Sequence, residues 1–311
     1  MADEEEKPQV AFLGPKATYT HQAALLKFPP SKYTHISHPT ITSIFQAIQA
    51  KKVPHGVVPF ENSSNGPVGF TLDLFADPNL LYPSPLIEAE IYLPVHHCLV
   101  GHTVPTDNFN KITKLYSHPQ AWTQCSHFLD THFPTTERID VSSTSRGAEL
   151  VAADTSGTSA AISSKLAAEL NQVPVLAEGI EDIKGNTTRF FVLRHEDSPL
   201  TFPPSKDDDD DSQPPSEEEQ EWKSLISFRL KQGRQSGALA ESLGVFAKHG
   251  VNLTSILSRP SREAAWHYVF FVEVQGRRRR ERGSRVDVAL EELGRVVEGW
   301  RWLGSWVDQR T

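Results

Sequence analysis

The sequence predicts an α/β protein in two parts: a larger region of alternating strands and helices, then a smaller βαββαβ module. Three observations lead there. The apolar runs of the larger region each end in polar residues of the kind that open helices. An acidic, proline-containing segment separates the two parts. Beyond it, two helical patterns interleave with four strand-like runs. At roughly 100–200 residues per domain, a chain of 311 residues accommodates two or three domains.

In the larger region, Val10 to Leu13 reads as a strand running into Gly14 and Pro15, and Thr18-Tyr19-Thr20 opens a helix from His21 to Phe28. The run Gly56 to Phe60 leads into Glu61-Asn62-Ser63-Ser64. Ile112 to Tyr116 leads into Ser117-His118-Pro119-Gln120 and a helical pattern through Leu129. Ile139 to Val141 leads into Ser142 to Ser145 and another helix, and Thr158 to Ile162 into Ser163-Ser164 and a helix from Lys165 to Leu170. Such alternation predicts an α/β architecture with largely parallel sheets. Ligands of open α/β sheets bind outside the carboxyl ends of the strands. There these loops would present Ser, Thr and Asn together with helix N-terminal N–H groups, which suit an anion. No Gly-x-Gly-x-x-Gly and no Gly-Lys-Ser/Thr is present, which speaks against a nucleotide and for a small organic anion such as a carboxylate. Taken singly, each of these polar residues also reads as an ordinary helix cap.

In the C-terminal module, Ser224 to Leu230, Val251 to Leu257, Tyr268 to Val274 and Trp302 to Val307 read as strands. Gly237 to Lys248 is a helix with Leu239, Leu243 and Phe246 on one face, and Val286 to Val297 is a second. This is a ferredoxin-like plan. The basic run Arg277 to Arg280 reads as a solvated loop that could attract the acidic segment through a salt-sensitive contact.

Charge and composition exclude several classes. The longest apolar runs are a few residues, against the roughly 20 needed to cross a bilayer, so no membrane association is expected. Residues 1–7 are acidic and lack an apolar stretch, unlike a secretory or transit segment. Two cysteines do not make a disulfide scaffold and suit a reducing, cytoplasmic setting. Net acidity disfavours nucleic acid as a partner. The net charge of −8 is uneven: −3 in residues 1–7, −2 in 8–195, −10 in 196–221 and +7 in 222–311. The third piece, with five consecutive acids from Asp207 to Asp211, reads as a disordered linker, because it cannot bury enough apolar surface to offset its ordering entropy. An acidic binding tract is the alternative.

Several motifs then carry a resemblance. Val58-Pro59-Phe60-Glu61-Asn62-Ser63 is similar to the V-P-[IF]-E-N-S element of prephenate dehydratases. Tyr116-Ser117-His118-Pro119-Gln120-Ala121 with Gln124-Cys125 resembles their Y-S-H-P-Q-A-x-x-Q-C element, and Gly185-Asn186-Thr187-Thr188-Arg189-Phe190, after Ala177 to Ile180, their G-N-x-T-R-F element. Gly14-Pro15-Lys16-Ala17-Thr18-Tyr19 resembles the opening element, with Ala17 where the family has Gly. The resemblance spans residues 9–194. It implies a two-lobed catalytic domain like the type II periplasmic binding proteins, with lobes of about 8–95 plus 175–195 and 96–174. In the module, Gly237-Ala238-Leu239, Asn252 to Ile256 and Ser258-Arg259-Pro260 resemble an ACT regulatory domain, with Leu257 where the family has Glu.

The resemblance implies a decarboxylating dehydration of prephenate to phenylpyruvate, in L-phenylalanine biosynthesis, by a monofunctional carbon–oxygen lyase. No fused mutase domain is expected ahead of residue 8. Aromatisation drives the reaction, so neither cofactor nor metal is expected. The departing hydroxyl needs a proton or a strong hydrogen bond, and the dianion must be held with its ring carboxylate able to leave. Thr188 is the family residue tied to activity, as a hydrogen-bond donor or proton relay. Arg189 would grip a carboxylate or brace an acid, and Phe190 would exclude water. Glu61 is a possible acid or a structural partner. Asn62 and Gln124, with Thr18, Ser63, Ser117 and Thr144, would supply neutral groups around the substrate.

Gly237, Ala238, Leu239, Asn252, Leu253, Ser258 and Arg259 would bind phenylalanine as a feedback effector at a subunit interface of a homodimer or homotetramer. A metal set built from His96, His97, Cys98, Cys125 and His127 lacks the paired spacing of zinc ligands, and Cys98 reads as a core thiol. Two rivals remain: the same lyase acting on arogenate, and a non-catalytic amino-acid sensor.

Overall fold

The computed structural model describes residues 7–102, 109–202, 221–231, 236–279 and 283–310. The acidic N-terminus before Lys7, residues 203–220 of the expected linker, and Arg280 of the basic run lie outside the described residues. In chain order come β1 (Gln9–Leu13), α1 (Tyr19–Lys27), β2 (Thr34–His38), α2 (Ile41–Gln49), β3 (His55–Asn62), β4 (Gly66–Pro67), α3 (Gly69–Phe75) and β5 (Pro85–Pro94). There follow β6 (Cys98–Gly101), β7 (Lys114–Ser117), α4 (Pro119–Gln124), α5 (Ser126–His132), β8 (Glu137–Asp140), α6 (Thr144–Ala153), β9 (Ser159–Ser163), α7 (Lys165–Leu170), β10 (Val175–Glu178) and β11 (Thr187–His195). The C-terminal module adds β12 (Trp222–Leu230), α8 (Ala238–Lys248), β13 (Leu253–Pro260), β14 (Tyr268–Gln275), α9 (Arg285–Val296) and β15 (Val297–Val307). No helix among the described residues is long and apolar enough to cross a membrane.

One compact unit takes in the chain up to Ser43, then Glu61–Pro67 and Tyr92–Phe190. Its five-stranded sheet runs β10-β6-β9-β7-β8. The expectation of largely parallel sheets holds for part of it: β7 is parallel to β8 and β9, whereas β6 is antiparallel to β9 and β10. Parallel neighbours need crossover connections of about a dozen residues or more, and α4, α5 and α6 supply them between β7, β8 and β9. Strand alternation divides the core. Leu99, Leu115 and Ile162 bury on one side with Leu129 and Phe133, while Cys98, Val100 and Ala161 bury on the other with Ala148 and Val151. Both cysteines are free and buried, and burial pushes the Cys98 thiol up to about 11 and Cys125 higher still, so both stay protonated core groups.

The turn between β1 and α1 explains the one departure in the opening motif. Ala17 sits at φ 65°, in the left-handed region that favours glycine. Its N–H donates to His21 Nδ1 at 3.0 Å, and the His21 ring stacks on Phe12 with centroids 4.4 Å apart. The acceptor role requires a neutral ring. Burial, then the neighbouring His35 and Lys16, lower the His21 pKa from 6.5 to about 4. Its stabilising contribution is therefore full above pH 6.5 and is lost as pH falls from there toward about 4. His21→Asn keeps an acceptor near the Nδ1 position without titrating, so its melting temperature should fall less steeply with acid over that window. Parallel profiles for the two proteins would refute this.

The second unit comprises Ile44–Phe60, Val68–Ile91 and the chain from Phe191 onward. Its C-terminal module has the expected βαββαβ order, with strands arranged β13-β14-β12-β15 and antiparallel partners on both sides of β12. Helices α8 and α9 bury Val245, Phe246, Leu290 and Leu293 against Ile226, Phe228 and Val272. Strand β15 begins at Val297, directly after α9, and not at Trp302 as the alternation suggested. Val297 pairs with Leu230, so the ladder with β12 extends the strand through residues whose side chains show no alternation. The largest surprise is Lys223 on β12, which is fully buried with Glu90, Glu273 and Asp308.

Candidate active site

The first unit brings the Glu61-Asn62-Ser63 motif against residues 186–189. Strand β3 continues through Asn62 where the sequence suggested a loop, because β4 pairs with it, Glu61 opposite Pro67 and Asn62 opposite Gly66. Asn62 Oδ1 accepts the N–H groups of Ser64 and Asn65, both at 3.0 Å. Those donors fix that end of the amide as oxygen. Asn62 Nδ2 therefore donates to Asn186 Oδ1 at 2.7 Å and to Thr188 Oγ1 at 3.0 Å. Ser63 is stapled to the same loop: its N–H donates to Thr187 O, and its Oγ accepts from Thr187 N, each at 2.9 Å.

The Thr188 hydroxyl thus accepts from Asn62, and among the described residues no acceptor takes its proton. Phe190 shares the Thr188 side of β11 by strand alternation and is 1% exposed, a dry apolar group below the hydroxyl. Arg189 falls on the opposite side. It is 5% exposed, lies 3.9 Å from Glu61 Oε2 and stands over the Tyr92 ring at 5.7 Å. The Glu61 contact corresponds to the second of the two roles the sequence offered Arg189, the bracing of an acid.

Gln124, at the end of α4, meets a second group. Its Oε1 lies 2.8 Å from His97 Nε2, and its main-chain O accepts from Asp182 N at 2.7 Å. Asp182 in turn accepts from the N–H groups of Ser126 and His127, tying the loop before β11 to the start of α5. Val95 N donates to Asn186 O at 2.8 Å, two residues from His97. The 179–188 loop is therefore anchored near Gln124 at one end and on Asn62 and Ser63 at the other.

Other predicted donors are used by the fold. The Thr18 hydroxyl donates to Leu13 O at 2.9 Å and caps α1 by accepting from His21 N. Ser117 is fully buried and donates to Ile162 O at 2.9 Å. Both hydroxyl protons go to main-chain carbonyls, so these side chains secure their loops. Thr144 is the first residue of α6, whose cap is Ser143. His118 caps α4 by accepting from Gln120 N. His96 turns to Glu181 at 3.0 Å, away from the thiols.

In the second unit, Gly237 opens α8 at φ 87°, a conformation glycine adopts without strain. Ala238 follows as the first helical residue, and Leu239 packs on the module's core with Leu253. Asn252 Nδ2 donates to Gln275 Oε1 at 3.1 Å, and Ser258 is exposed on the edge strand β13. Arg259 clasps both Asp73 oxygens, at 2.5 and 3.0 Å, and Arg262 adds a third bond at 2.8 Å. Asn186 and His97, to which the sequence assigns no substrate role, meet Asn62 and Gln124 here.

Comparisons with known proteins identify the family. The prephenate dehydratase family model matches residues 10–198, and the ACT domain model residues 225–283. The bifunctional chorismate mutase/prephenate dehydratase of Aquifex aeolicus is 37% identical over 97% of this chain and 74% of its own length. The prephenate dehydratase of Methanocaldococcus jannaschii is 31% identical, over 96% of this chain and 97% of its own. The crystal structure of prephenate dehydratase from Arthrobacter aurescens in complex with L-Phe superposes with a TM-score of 0.79 at 29% identity, covering 96% of this chain and 90% of that one.

Proposed function

The chain belongs to the prephenate dehydratase family and carries an ACT domain, and we propose that Thr188 and Asn62 stand at the centre of its dehydration chemistry. The C–C bond to the ring carboxylate breaks and its electron pair enters the ring as CO2 leaves. As that pair enters the ring, the C–O bond to the ring hydroxyl breaks with its own electron pair leaving on oxygen, and the departing oxygen takes up a proton to become water. Phenylpyruvate remains, and aromaticity drives the step.

The observation that carries this reading is the Asn62 to Thr188 hydrogen bond. Asn62 occupies a lone pair of Thr188 Oγ1, so the Thr188 proton points elsewhere and can be donated to the departing oxygen. The Arg189–Glu61 pair holds the neighbouring positions of the two strands in register, with Phe190 excluding water. Residues 8–195 are read as the catalytic region and 222–311 as a regulatory module that binds phenylalanine through Gly237, Ala238, Leu239, Asn252, Leu253, Ser258 and Arg259 across an ACT interface, in a cytoplasmic dimer or tetramer.

Ultraviolet measurement of phenylpyruvate formed from prephenate, with and without phenylalanine, tests both parts. Turnover of prephenate with inhibition by phenylalanine is expected. Faster turnover of arogenate would move the substrate assignment, and no turnover of either would leave a sensor. A phenylalanine titration that changes neither rate, melting temperature nor oligomer size would remove the regulatory role.

A further inference from the structure

His97 is 2% exposed, and both its ring nitrogens are engaged. Nδ1 lies 3.2 Å from Tyr19 Oη, and Nε2 lies 2.8 Å from Gln124 Oε1. Burial lowers the His97 pKa against an opposing contribution from Gln124, so near neutral pH the ring carries one proton. That proton can sit on only one nitrogen. Gln124 turns its amide oxygen toward Nε2, and two bare acceptors do not share a 2.8 Å contact, so Nε2 is the N–H. Nδ1 must then accept. The proton that faces it is the Tyr19 hydroxyl, which burial, followed by the nearby thiols and Glu181, holds firmly in the phenol form. The Tyr19 hydroxyl also donates to the His96 carbonyl at 2.9 Å, so its proton serves that oxygen and Nδ1 in a three-centre bond.

We infer that Tyr19 and His97 are positioning residues that set which end of the Gln124 amide faces the substrate. The Tyr19 proton on Nδ1 places the ring proton on Nε2, and the ring holds the amide oxygen. The Gln124 NH2 is left to donate to an anionic oxygen of prephenate. In the opposite tautomer, Nδ1–H would donate to Tyr19 and a bare Nε2 would draw the NH2 inward. Gln124 would then turn an oxygen toward the dianion. The inference rests on the proposed placing of Gln124 at the substrate, for which the Val95 to Asn186 bond beside His97 is the structural support.

The test combines ring-nitrogen NMR with kinetics on the full chain. In protein labelled with 15N-histidine, the His97 signals are assigned by their loss in His97→Gln. The expected result is the Nε2–H tautomer near neutral pH. Tyr19→Phe removes the proton that locks it, so the ring should become a mixture of tautomers and KM should rise roughly tenfold, with a smaller change in kcat. Gln124→Ala should raise KM at least as much. An Nδ1–H tautomer or an imidazolium in the wild-type protein would overturn the relay, and this measurement does not depend on Tyr19→Phe or Gln124→Ala folding. Wild-type KM in Gln124→Ala would instead overturn the placing of Gln124, leaving the tautomer result intact.

Discussion

Thr188→Ala is expected to lower kcat for phenylpyruvate formation about 10²–10³-fold, the usual loss for one donor aimed at developing negative charge. The fold and most of the substrate affinity should survive. The Asn62 side chain keeps its bonds to Asn186 and to the N–H groups of Ser64 and Asn65 when the threonine oxygen is gone, so the turn around it has no cause to move. Loss confined to kcat is the signature of an interaction made in the transition state only. Thr188→Ser restores the hydroxyl and should recover most of the rate. Unaltered turnover in the alanine variant would remove Thr188 from the chemistry and, with it, the proposed centre of the site.

The second large effect concerns stability. Lys223 Nζ lies 3.0 Å from Glu90 Oε1, 2.6 Å from Asp308 Oδ1 and 3.8 Å from Glu273 Oε1, with the lysine side chain fully buried. Glu90 also accepts from Gln309 N at 2.9 Å. Lys223→Met would take away the one fully buried cation of this cluster and leave the half-exposed Arg310, 3.6 Å from Glu273 and 3.5 Å from Asp308; removing one partner of a buried pair costs about 3–5 kcal/mol. A lower urea midpoint and melting temperature are expected. The pH response should also weaken. Burial raises the Asp308 pKa, but its bonds to Lys223 and Arg310 more than offset this and bring it below 3.8. In the wild-type protein this charge contributes stability above pH 3.8 that is lost as pH falls through the lower folded value. Without the lysine, Asp308 loses the largest influence that lowers its pKa, so acid should cost the variant less than it costs the wild type. A variant as stable as the wild type at neutral pH would show that the cluster is compensated from elsewhere.

These two predictions also mark how much was legible beforehand. Thr188, Asn62 and Gln124, on which the proposed chemistry rests, stand in short, dense motifs, and a motif keeps its residue types together in the chain. Thr18 and Ser117 stood in equally good motifs. A hydroxyl's availability depends on where its proton goes, and the acceptors, Leu13 O and Ile162 O, are main-chain atoms that no residue type announces. Arg189 divided the same way. Its charge was certain from the sequence, but whether it grips a ligand or braces Glu61 depends on which side of β11 it occupies relative to Thr188. The Tyr19–His97–Gln124 relay was hidden because its members come from α1, the segment before β6 and α4, and a tautomer is decided by partners on both ring nitrogens.

By itself, then, the sequence determined the class of fold, the βαββαβ order of the C-terminal module and the residue types that make the chemistry. Alternation, helical periodicity and cap residues act over a few neighbours, and those neighbours are written in order along the chain. Only the tertiary structure decided that Lys223 meets Glu90, 133 positions away, that Ala17 holds a glycine's conformation against His21, and that Asn62 donates to the Thr188 hydroxyl. Burial and hydrogen bonding between distant residues depend on which elements come to lie side by side, and local pattern carries no record of that.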